Sequence, residues 1–456
     1  MKNRSLDQKK NSLLVSGLRG ASPAWYCSTL AQNQPLCCVL PSEQMVQDFE
    51  QDLQLFTTCH VIGYPGYEIP PYTPLSPDQR TTAARLSALY RLTESREPFI
   101  LAISIEALLR RVMDRSVLLK HAELLMEGEE CDLHPLKINL INMGYEHVSL
   151  VKSIGDFSVR GGIVDIFPPS FLLPDSQLHE GPIRLDFFGD TVESIRAFDP
   201  FTQRSSTHIS EAILLPVSDI YIPTDNRSYL RKARDRFHQY GERFNWSAEI
   251  TAELTERIKS GQRFAGIEFF LPLLSVNEES RSATIFDYLP QDTLFVLQDS
   301  QAINQQSQIT WERIKANYQT ALVDGKPALP ANELFIGEEA FVDSLTSFNR
   351  VELTEFVPEH AEHQIIQTNN HQLLKQEISM LRKKEGLLSP LANQVSNWLG
   401  EGDNVIICCR SERRQKTLAE LLGRFNIPLA SLEAPVNITE LPPLSGERPL
   451  YLSDTP

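Results

Sequence analysis

The segment Leu13-Leu-Val-Ser-Gly-Leu-Arg-Gly-Ala-Ser-Pro-Ala-Trp25 joins an apolar strand to a glycine-bearing turn and a helix start. Pro23 stands in the first turn of the expected helix, where a missing amide hydrogen costs little because that hydrogen has no partner within the helix. A strand followed by a tight turn and a helix is the opening unit of an α/β domain. The segment therefore predicts that the chain begins with a buried parallel strand.

Three further apolar runs continue this pattern along the first hundred residues. They are Leu-Cys-Cys-Val-Leu, Cys-His-Val-Ile-Gly and Phe-Ile-Leu-Ala-Ile, at residues 36–40, 59–63 and 99–103. Helical segments separate them, and we expect Ser42, Ser76 and Ser104 to cap the starts of these helices. Strands that alternate with helices are typical of a doubly wound parallel sheet, so we expect a multi-domain α/β fold.

The pattern changes near residue 130 to strands punctuated by glycine. Residues 148–169 and 183–200 contain alternating apolar positions, and Gly189-Asp190 is a favourable two-residue hairpin turn. We interpret this part as a β-rich module that is inserted into or appended to the first domain. Mixed helix and strand signals return after Pro216, and a last α/β unit follows near the C-terminus.

Composition narrows the possible functions. The 456 residues include 59 acidic and 43 basic side chains, a net charge of −16, which disfavours a large nucleic-acid footprint but leaves a local basic patch open. No apolar run is long enough for a secretion signal or a membrane span, so we expect a cytoplasmic protein. The seven cysteines include no C-x-x-C pair, and the ten histidines have no metal-ligand spacing. We expect no metal and no catalytic residue.

The glycine-bearing turn lies where a nucleotide-binding loop would sit. Such a loop ends in Gly-Lys-Ser/Thr, because the lysine neutralises the phosphates and the hydroxyl holds Mg²⁺. Here Gly17 and Gly20 are present, but Ser22, Pro23 and Ala24 follow without a lysine. We interpret the turn as a degenerate, non-functional phosphate loop and expect this chain to hold no cofactor.

Three tyrosines cluster in the proline-rich stretch at residues 64–72. Tyr64, Tyr67 and Tyr72 are either a stacking platform for bases or a stiff surface loop whose rings cover the core. Glu68 is the only charged residue of the stretch, and no Arg or Lys follows before Arg80. The sequence favours the structural interpretation.

The β-rich module offers a candidate binding face. Alternation along residues 183–188 places Arg184, Asp186 and Phe188 on one side of the strand, with Leu185 and Phe187 on the other. Arg160, in the other strand run, is expected to be exposed as well. Two arginines and a phenylalanine on a rigid sheet have the composition of a protein–protein hot spot. In the alternative, Arg184 pairs with Asp186 or Asp165 and Phe188 belongs to the core.

Several long motifs carry a resemblance to a known family. They begin at Glu68, Arg160, Ile183 and Gly266 and read EIPPYTPLSPDQRTTAARLSALYRL, RGGIVDIFPPS, IRLDFFGDTVESIRAFDPFTQRS and GIEFFLPLL. In this order and spacing the chain resembles the N-terminal half of the bacterial transcription-repair coupling factors (Mfd). That half is similar to the excision-repair subunit UvrB without its ATPase.

The resemblance implies a fold and a partner. It implies a degenerate RecA-like domain that is interrupted by a module that binds the repair protein UvrA, with Arg160, Arg184 and Phe188 at the family's contact positions. The corresponding division is 1–125, 126–215, 216–350 and 351–456, the last a small α/β domain of unknown role. UvrB-like proteins also thread DNA with an aromatic hairpin, for which the short interval between Tyr72 and Ser76 leaves little room.

The resemblance also implies what lies outside this chain. RNA polymerase and DNA would be bound by C-terminal domains, and ATP and Mg²⁺ by a C-terminal motor, so we expect a non-enzymatic fragment cut at a domain edge. In the family the UvrA-binding face is masked by the C-terminal domains of the same chain. Two alternatives stay open: a UvrB-like module that binds DNA and hydrolyses ATP, and a purely autoinhibitory module.

Overall fold

The computed structural model describes residues 12–174, 177–275, 283–356, 363–380, 388–409, 411–432, 435 and 448–453. Residues 1–11 of the first predicted domain and 454–456 of the last lie outside this described part. Among the described helices, none combines the length and the apolar character that a bilayer crossing requires.

The strands are given in chain order. They are β1 (Ser12–Ser16), β2 (Leu36–Leu40), β3 (His60–Tyr64), β4 (Phe99–Ser104), β5 (Glu123–Met126), β6 (Glu146–His147), β7 (Asp156–Arg160), β8 (Ile163–Ile166), β9 (Phe171–Leu172), β10 (Leu178–His179), β11 (Ile183–Phe188), β12 (Thr191–Phe198), β13 (Ser205–Ile209), β14 (Glu211–Leu214), β15 (Leu294–Gln298), β16 (Arg350–Thr354), β17 (Gln364–Ile365), β18 (Val405–Cys408), β19 (Leu429–Leu432) and β20 (Leu450–Ser453).

The α-helices follow in the same way. They are α1 (Ser22–Leu30), α2 (Glu43–Phe56), α3 (Gln79–Glu94), α4 (Ile105–Leu108), α5 (Arg115–His121), α6 (Leu133–Met143), α7 (Arg227–Arg243), α8 (Ala248–Lys259), α9 (Leu271–Leu274), α10 (Ser300–Val323), α11 (Ala331–Leu334), α12 (Glu338–Thr346), α13 (Gln372–Met380), α14 (Ser389–Glu401) and α15 (Glu412–Leu422).

A parallel sheet of seven strands forms the largest layer, in the order β17-β1-β16-β15-β2-β4-β3. Its central strands β2 and β4 are buried along their whole length, as expected of a parallel sheet that is covered on both faces. The apolar runs that predicted β1 to β4 are therefore confirmed, and so is the α/β fold class. The chain leaves this sheet after β4 and returns to it only at β15.

Two of the three predicted helix caps are confirmed. The hydroxyl of Ser42 accepts a hydrogen bond from the Met45 amide at 3.3 Å, and that of Ser104 accepts one from the Ala107 amide at 3.1 Å. The prediction for Ser76 is wrong, because Asp78 caps α3. The Ser76 hydroxyl is instead used in a tertiary contact, since it donates to Glu268 at 2.8 Å.

The interval between β4 and β15 contains a second sheet. Six strands follow the order β13-β12-β11-β8-β7-β6, and all neighbours except β6 and β7 are antiparallel. The predicted Gly189-Asp190 turn connects β11 to β12, and Gly189 takes the positive φ of 64° that such a turn requires. One face of this sheet shares a continuous apolar core with the seven-stranded sheet.

A third, smaller sheet lies near the C-terminus, with the parallel order β18-β20-β19 and its own apolar cluster. Strands β16 and β17, however, belong to the seven-stranded sheet. The large sheet therefore extends beyond the division predicted between residues 350 and 351. The three boundaries between the four predicted domains themselves stay predictions.

Candidate functional site

The hairpin that joins β7 to β8 brings Gly162 next to β11 and leaves Arg160 at the end of β7. Gly161 occupies the turn with a φ of 62°, a conformation that favours glycine. Gly162 follows, and its carbonyl accepts a hydrogen bond from the Phe187 amide at 2.7 Å. A side-chain carbon at Gly162 would lie 2.8 Å from the Phe187 carbonyl oxygen, so this close approach requires glycine. The R-G-G motif thus fixes the position of Arg160 relative to the end of β11.

Asp165 is the centre of the polar face of the six-stranded sheet. Its side chain is 1% exposed, and in the strand register it lies directly opposite Arg184. Arg184 donates from Nε to one carboxylate oxygen at 2.6 Å and from Nη2 to the other at 3.0 Å. Arg160 donates to the same carboxylate. A buried carboxylate is costly unless it is paired, and here it is paired with both predicted arginines.

Arg184 makes further contacts besides those with Asp165. Its Nη1 donates to the Gln203 carbonyl at 3.3 Å, and its guanidinium lies 4.8 Å from the centre of the Phe198 ring. The hydrogen bonds to Asp165 raise its pKa above the usual value. Only 16% of its side chain is exposed, so alternation gave the correct face but not the degree of exposure. The pairing of Arg184 with Asp165 is the alternative that the sequence left open.

Phe188 differs sharply from Arg184. It is 80% exposed at the end of β11, beside the Gly189-Asp190 turn, whereas its neighbour Phe187 packs against the core. The interpretation of Phe188 as a core residue is therefore wrong. Arg160 is intermediate, with 48% of its side chain exposed. The face thus presents a free aromatic ring and a half-exposed guanidinium on a rigid frame.

A second ion pair, missed in the sequence, continues the same face. Arg196 of β12 lies opposite Arg184 in the strand register and pairs with Asp186, which also accepts a hydrogen bond from Ser194 at 2.9 Å. Alternation within β12 could have revealed it, because Ser194 and Arg196 share one side of that strand. Asp165 and Asp186 therefore orient three arginines between them.

The degenerate phosphate loop has a simple structural role. The Ser22 hydroxyl accepts from the Arg19 amide at 2.7 Å and donates to the Arg19 carbonyl at 2.8 Å, so it closes the turn. Gly17 and Gly20 adopt positive φ values of 87° and 58°, and Pro23 lies in the first turn of α1, where Ala24 is buried. These features match the plain strand-to-helix turn that the sequence favoured.

The chain itself fills the space beside this turn. The Ile366 amide donates to the Ser16 carbonyl at 2.9 Å, and the Thr368 hydroxyl donates to the Gly17 carbonyl. A side chain at Gly17 would collide with the Ile366 carbonyl. The segment from residue 364 to 368 therefore covers the end of β1, where phosphates lie in a nucleotide-binding loop.

The rings of the tyrosine cluster pack against the core, with Tyr67 and Tyr72 half-buried. Tyr64 is fully buried, and the Arg85 guanidinium lies between the rings of Tyr64 and Tyr67, at 4.3 and 4.4 Å from their centres. Arg110 lies 4.1 Å from the centre of the Tyr67 ring, and burial lowers its pKa to about 9. The interpretation as a structural loop is confirmed. The two arginines that contact its rings come from α3 and from the segment after α4.

Comparison with known proteins shows which family model and which relatives this chain matches. A family model described as the UvrB interaction domain matches residues 124–220, a range that includes Arg160, Arg184 and Phe188. The chain is 28% identical over 433 residues to the transcription-repair-coupling factor of Myxococcus xanthus and 28% identical over 420 residues to that of Escherichia coli. Each alignment covers 91% of this chain. The resemblance to the transcription-repair coupling factors is confirmed.

The extent of the match sets its limits. The chain spans about a third of the length of these coupling factors, since the alignments cover 34% of each. The coupling factor of Bacillus subtilis is 26% identical over 306 residues, which cover 64% of this chain. The chain thus matches a stretch of about a third of a coupling factor, and its residues 124–220 match the UvrB interaction domain.

Proposed function

We propose that this chain is the non-catalytic part of a transcription-repair coupling factor that recruits UvrA through the polar face of its six-stranded sheet. Arg160, Arg184 and Phe188 form the docking set. Phe188 fills an apolar pocket on UvrA, and the two arginines donate hydrogen bonds to carboxylate or carbonyl groups around it. In the whole coupling factor this would bring the repair machinery to a stalled RNA polymerase.

The observation that carries the proposal is the exposure of Phe188. A phenylalanine that is 80% exposed at a sheet end gains most by burial against a partner, because burying a large aromatic side chain contributes about 1.5–3 kcal/mol. Phe187, one residue earlier, packs against the core, so Phe188 is not needed to fill it. Its place inside the segment that matches the UvrB interaction domain supports a repair protein as the partner.

The ion-pair frame makes the face suitable for docking. Asp165 fixes Arg184 through two hydrogen bonds and also contacts Arg160, so these side chains lose little rotamer freedom when a partner binds. Arg160 keeps about half of its side chain in solvent. It is the arginine with the most surface to offer a partner.

The filled end of β1 supports a scaffold rather than a nucleotide hydrolase. The loop has no lysine, and Ile366 and Thr368 occupy the space next to Gly17. We infer that ATP and Mg²⁺ act only in the C-terminal motor of the whole protein, which would also bind DNA and RNA polymerase. A melting temperature that rises with Mg-ATP would instead favour the UvrB-like alternative.

A regulatory role follows from the same face. The exposed ring of Phe188 is accessible to another part of the same chain as well as to a separate partner. We infer that the C-terminal domains of the same chain mask it until the motor engages. If the face served only this internal contact, the chain would bind the isolated C-terminal domains and leave UvrA unbound.

Calorimetric titration of the chain with purified UvrA tests the proposal. Phe188→Ala is expected to weaken binding by about 2 kcal/mol or more, roughly thirtyfold, as for a hot-spot aromatic residue. Phe356→Ala is the matched control, because Phe356 is 75% exposed and follows β16 of the seven-stranded sheet, outside the docking face. Equal binding by the wild type and the Phe188→Ala variant would contradict the proposal.

A further inference from the structure

Helix α7 is an exception to the acidic character of the chain. Within Arg227–Arg243 there are six Arg or Lys residues and two acidic residues, although the chain as a whole carries a net charge of −16. Its buried side chains, such as Leu230 and Phe237, pack into an apolar cluster with α8 and neighbouring segments. Most of the basic residues lie away from this cluster, whereas Arg236 is half-buried and donates to the Ser275 carbonyl at 3.0 Å.

Three arginines line up along α7. Arg227, Arg231 and Arg234 are separated by four and three residues, so they follow one another along one face of the helix. Arg227 and Arg231 are exposed, and 42% of the Arg234 side chain is exposed. We call these three residues the cationic stripe. At about 1.5 Å per residue it extends over roughly 10 Å.

The stripe does not stabilise the helix that carries it. Like charges four residues apart repel, and cations in the first turns oppose the helix dipole, yet the first turn of α7 has no acidic residue. The only ion pair of the stripe in the described structure joins Arg234 to its neighbour Asp235 at 2.6 Å. Other helices of this chain use opposite charges at this spacing, as in Glu253 with Arg257 and Glu412 with Lys416.

The chemistry of the stripe favours a phosphate backbone over a protein surface. Within Arg227–Arg243, all of which the structure describes, no large apolar side chain is exposed. A protein hot spot would need such an anchor. Along one DNA strand a phosphate recurs about every 3.4 Å of helix axis, so roughly 10 Å of stripe faces about three phosphates. Guanidinium groups pair with phosphates in two-pronged hydrogen bonds.

We propose that the cationic stripe of α7 binds the phosphate backbone of duplex DNA without reading its sequence. The contact is separate from the docking set on the six-stranded sheet. It is confined to one helix, which agrees with an overall charge that disfavours a large nucleic-acid footprint. The stripe would hold DNA close to α7, and any reaction on the DNA would take place at another site.

Fluorescence anisotropy with an end-labelled duplex of about 25 base pairs, titrated from about 50 to about 200 mM salt, tests the proposal. In the variant Arg227→Gln, Arg231→Gln, Arg234→Gln the log–log salt slope is expected to fall by about one for each arginine removed, with weaker binding at every salt concentration. The matched control is Arg413→Gln, Arg414→Gln, Lys416→Gln, which removes three exposed cations from α15 and is expected to bind like the wild type.

Several outcomes would overturn the proposal. They are no binding by the wild type at the lowest salt concentration, an equal loss in the α15 control, and competition by polyglutamate as strong as by unlabelled DNA of equal charge. The last result would assign the stripe to an acidic protein. The α7 variant is expected to melt at the wild-type temperature or above, because like charges have been removed. A lower melting temperature would give the stripe a structural role instead.

Discussion

The six-stranded sheet and the interior beside the end of β3 each bury an aspartate, and the two aspartates have opposite surroundings. Asp165 on the sheet accepts hydrogen bonds from two arginines. Asp219, close enough to Tyr64 of β3 to influence its pKa, has a buried oxygen Oδ1 without a hydrogen-bond partner within the described structure. Burial and the nearby Glu268 raise the pKa of Asp219 to about 7.

The difference shows how the same residue type serves two purposes. A paired aspartate orients the arginines around it, so Asp165 organises a surface. An unpaired aspartate prefers its neutral form, so Asp219 makes the interior sensitive to pH. The substitutions at Asp165, Arg184, Arg160 and Asp219 test this difference.

The largest effect is expected from Asp165→Ala. This change leaves Arg184 mostly buried without its carboxylate, and breaking such a pair costs about 3 kcal/mol or more of unfolding free energy. Asp186→Ala is the matched control, because its partner Arg196 is more exposed and can be hydrated, so a loss of at most about 1 kcal/mol is expected. Urea denaturation measures both. Equal losses would mean that Asp165 does not organise the face.

Arg184→Ala is expected to cost less, about 2 kcal/mol, because Asp165 keeps Arg160 as a partner. Arg160→Ala is expected to cost under about 1 kcal/mol of stability, since its side chain is half exposed. Both changes should weaken UvrA binding, which calorimetry can measure beside the urea curves. A larger loss of stability for Arg160→Ala than for Arg184→Ala would reverse the roles assigned to the two residues.

Asp219→Asn should change how stability depends on pH. The folded-state pKa of Asp219 lies above its unfolded value of 3.8, so the folded protein binds the proton more tightly. Between about pH 4 and 7, each rise of one unit should therefore cost up to about 1.4 kcal/mol. Because burial also raises the pKa of Glu50 to about 7, the difference between wild type and variant isolates Asp219. A difference that does not vary with pH would contradict the assignment.

The smallest effect is expected where the chain covers the end of β1. Thr368→Val removes the hydroxyl that donates to the Gly17 carbonyl and should cost about 1 kcal/mol of unfolding free energy. Thr346→Val is a suitable control, because its hydroxyl bonds only within its own helix turn. Thermal melting with and without Mg-ATP completes the test. A variant that gains a nucleotide-dependent shift would show that this segment alone blocks the loop.

Local sequence patterns predicted the strands, turns and caps that depend on residues close together in the chain. The apolar runs gave β1 to β4, Gly189-Asp190 gave the hairpin turn, and Ser42 and Ser104 gave two caps. The predicted cap at Ser76 is wrong because its hydroxyl donates to Glu268, which lies 192 residues away in the sequence. A contact across that separation cannot be predicted from a local pattern. In the candidate face, alternation assigned Arg184 and Phe188 to one side of β11, but it could not distinguish the buried arginine from the exposed ring.

The α/β class, the order of the first strands and helices, the lack of a phosphate-binding lysine in the turn after β1 and the family resemblance could all be predicted from the amino-acid sequence. These follow from residue types and spacings along one chain. The fold was needed to show which polar groups meet, namely Asp165 with two arginines, Arg85 between Tyr64 and Tyr67, and Thr368 with Gly17. The physical reason is that electrostatic and hydrogen-bond energies depend on distance and burial, which are properties of the folded chain.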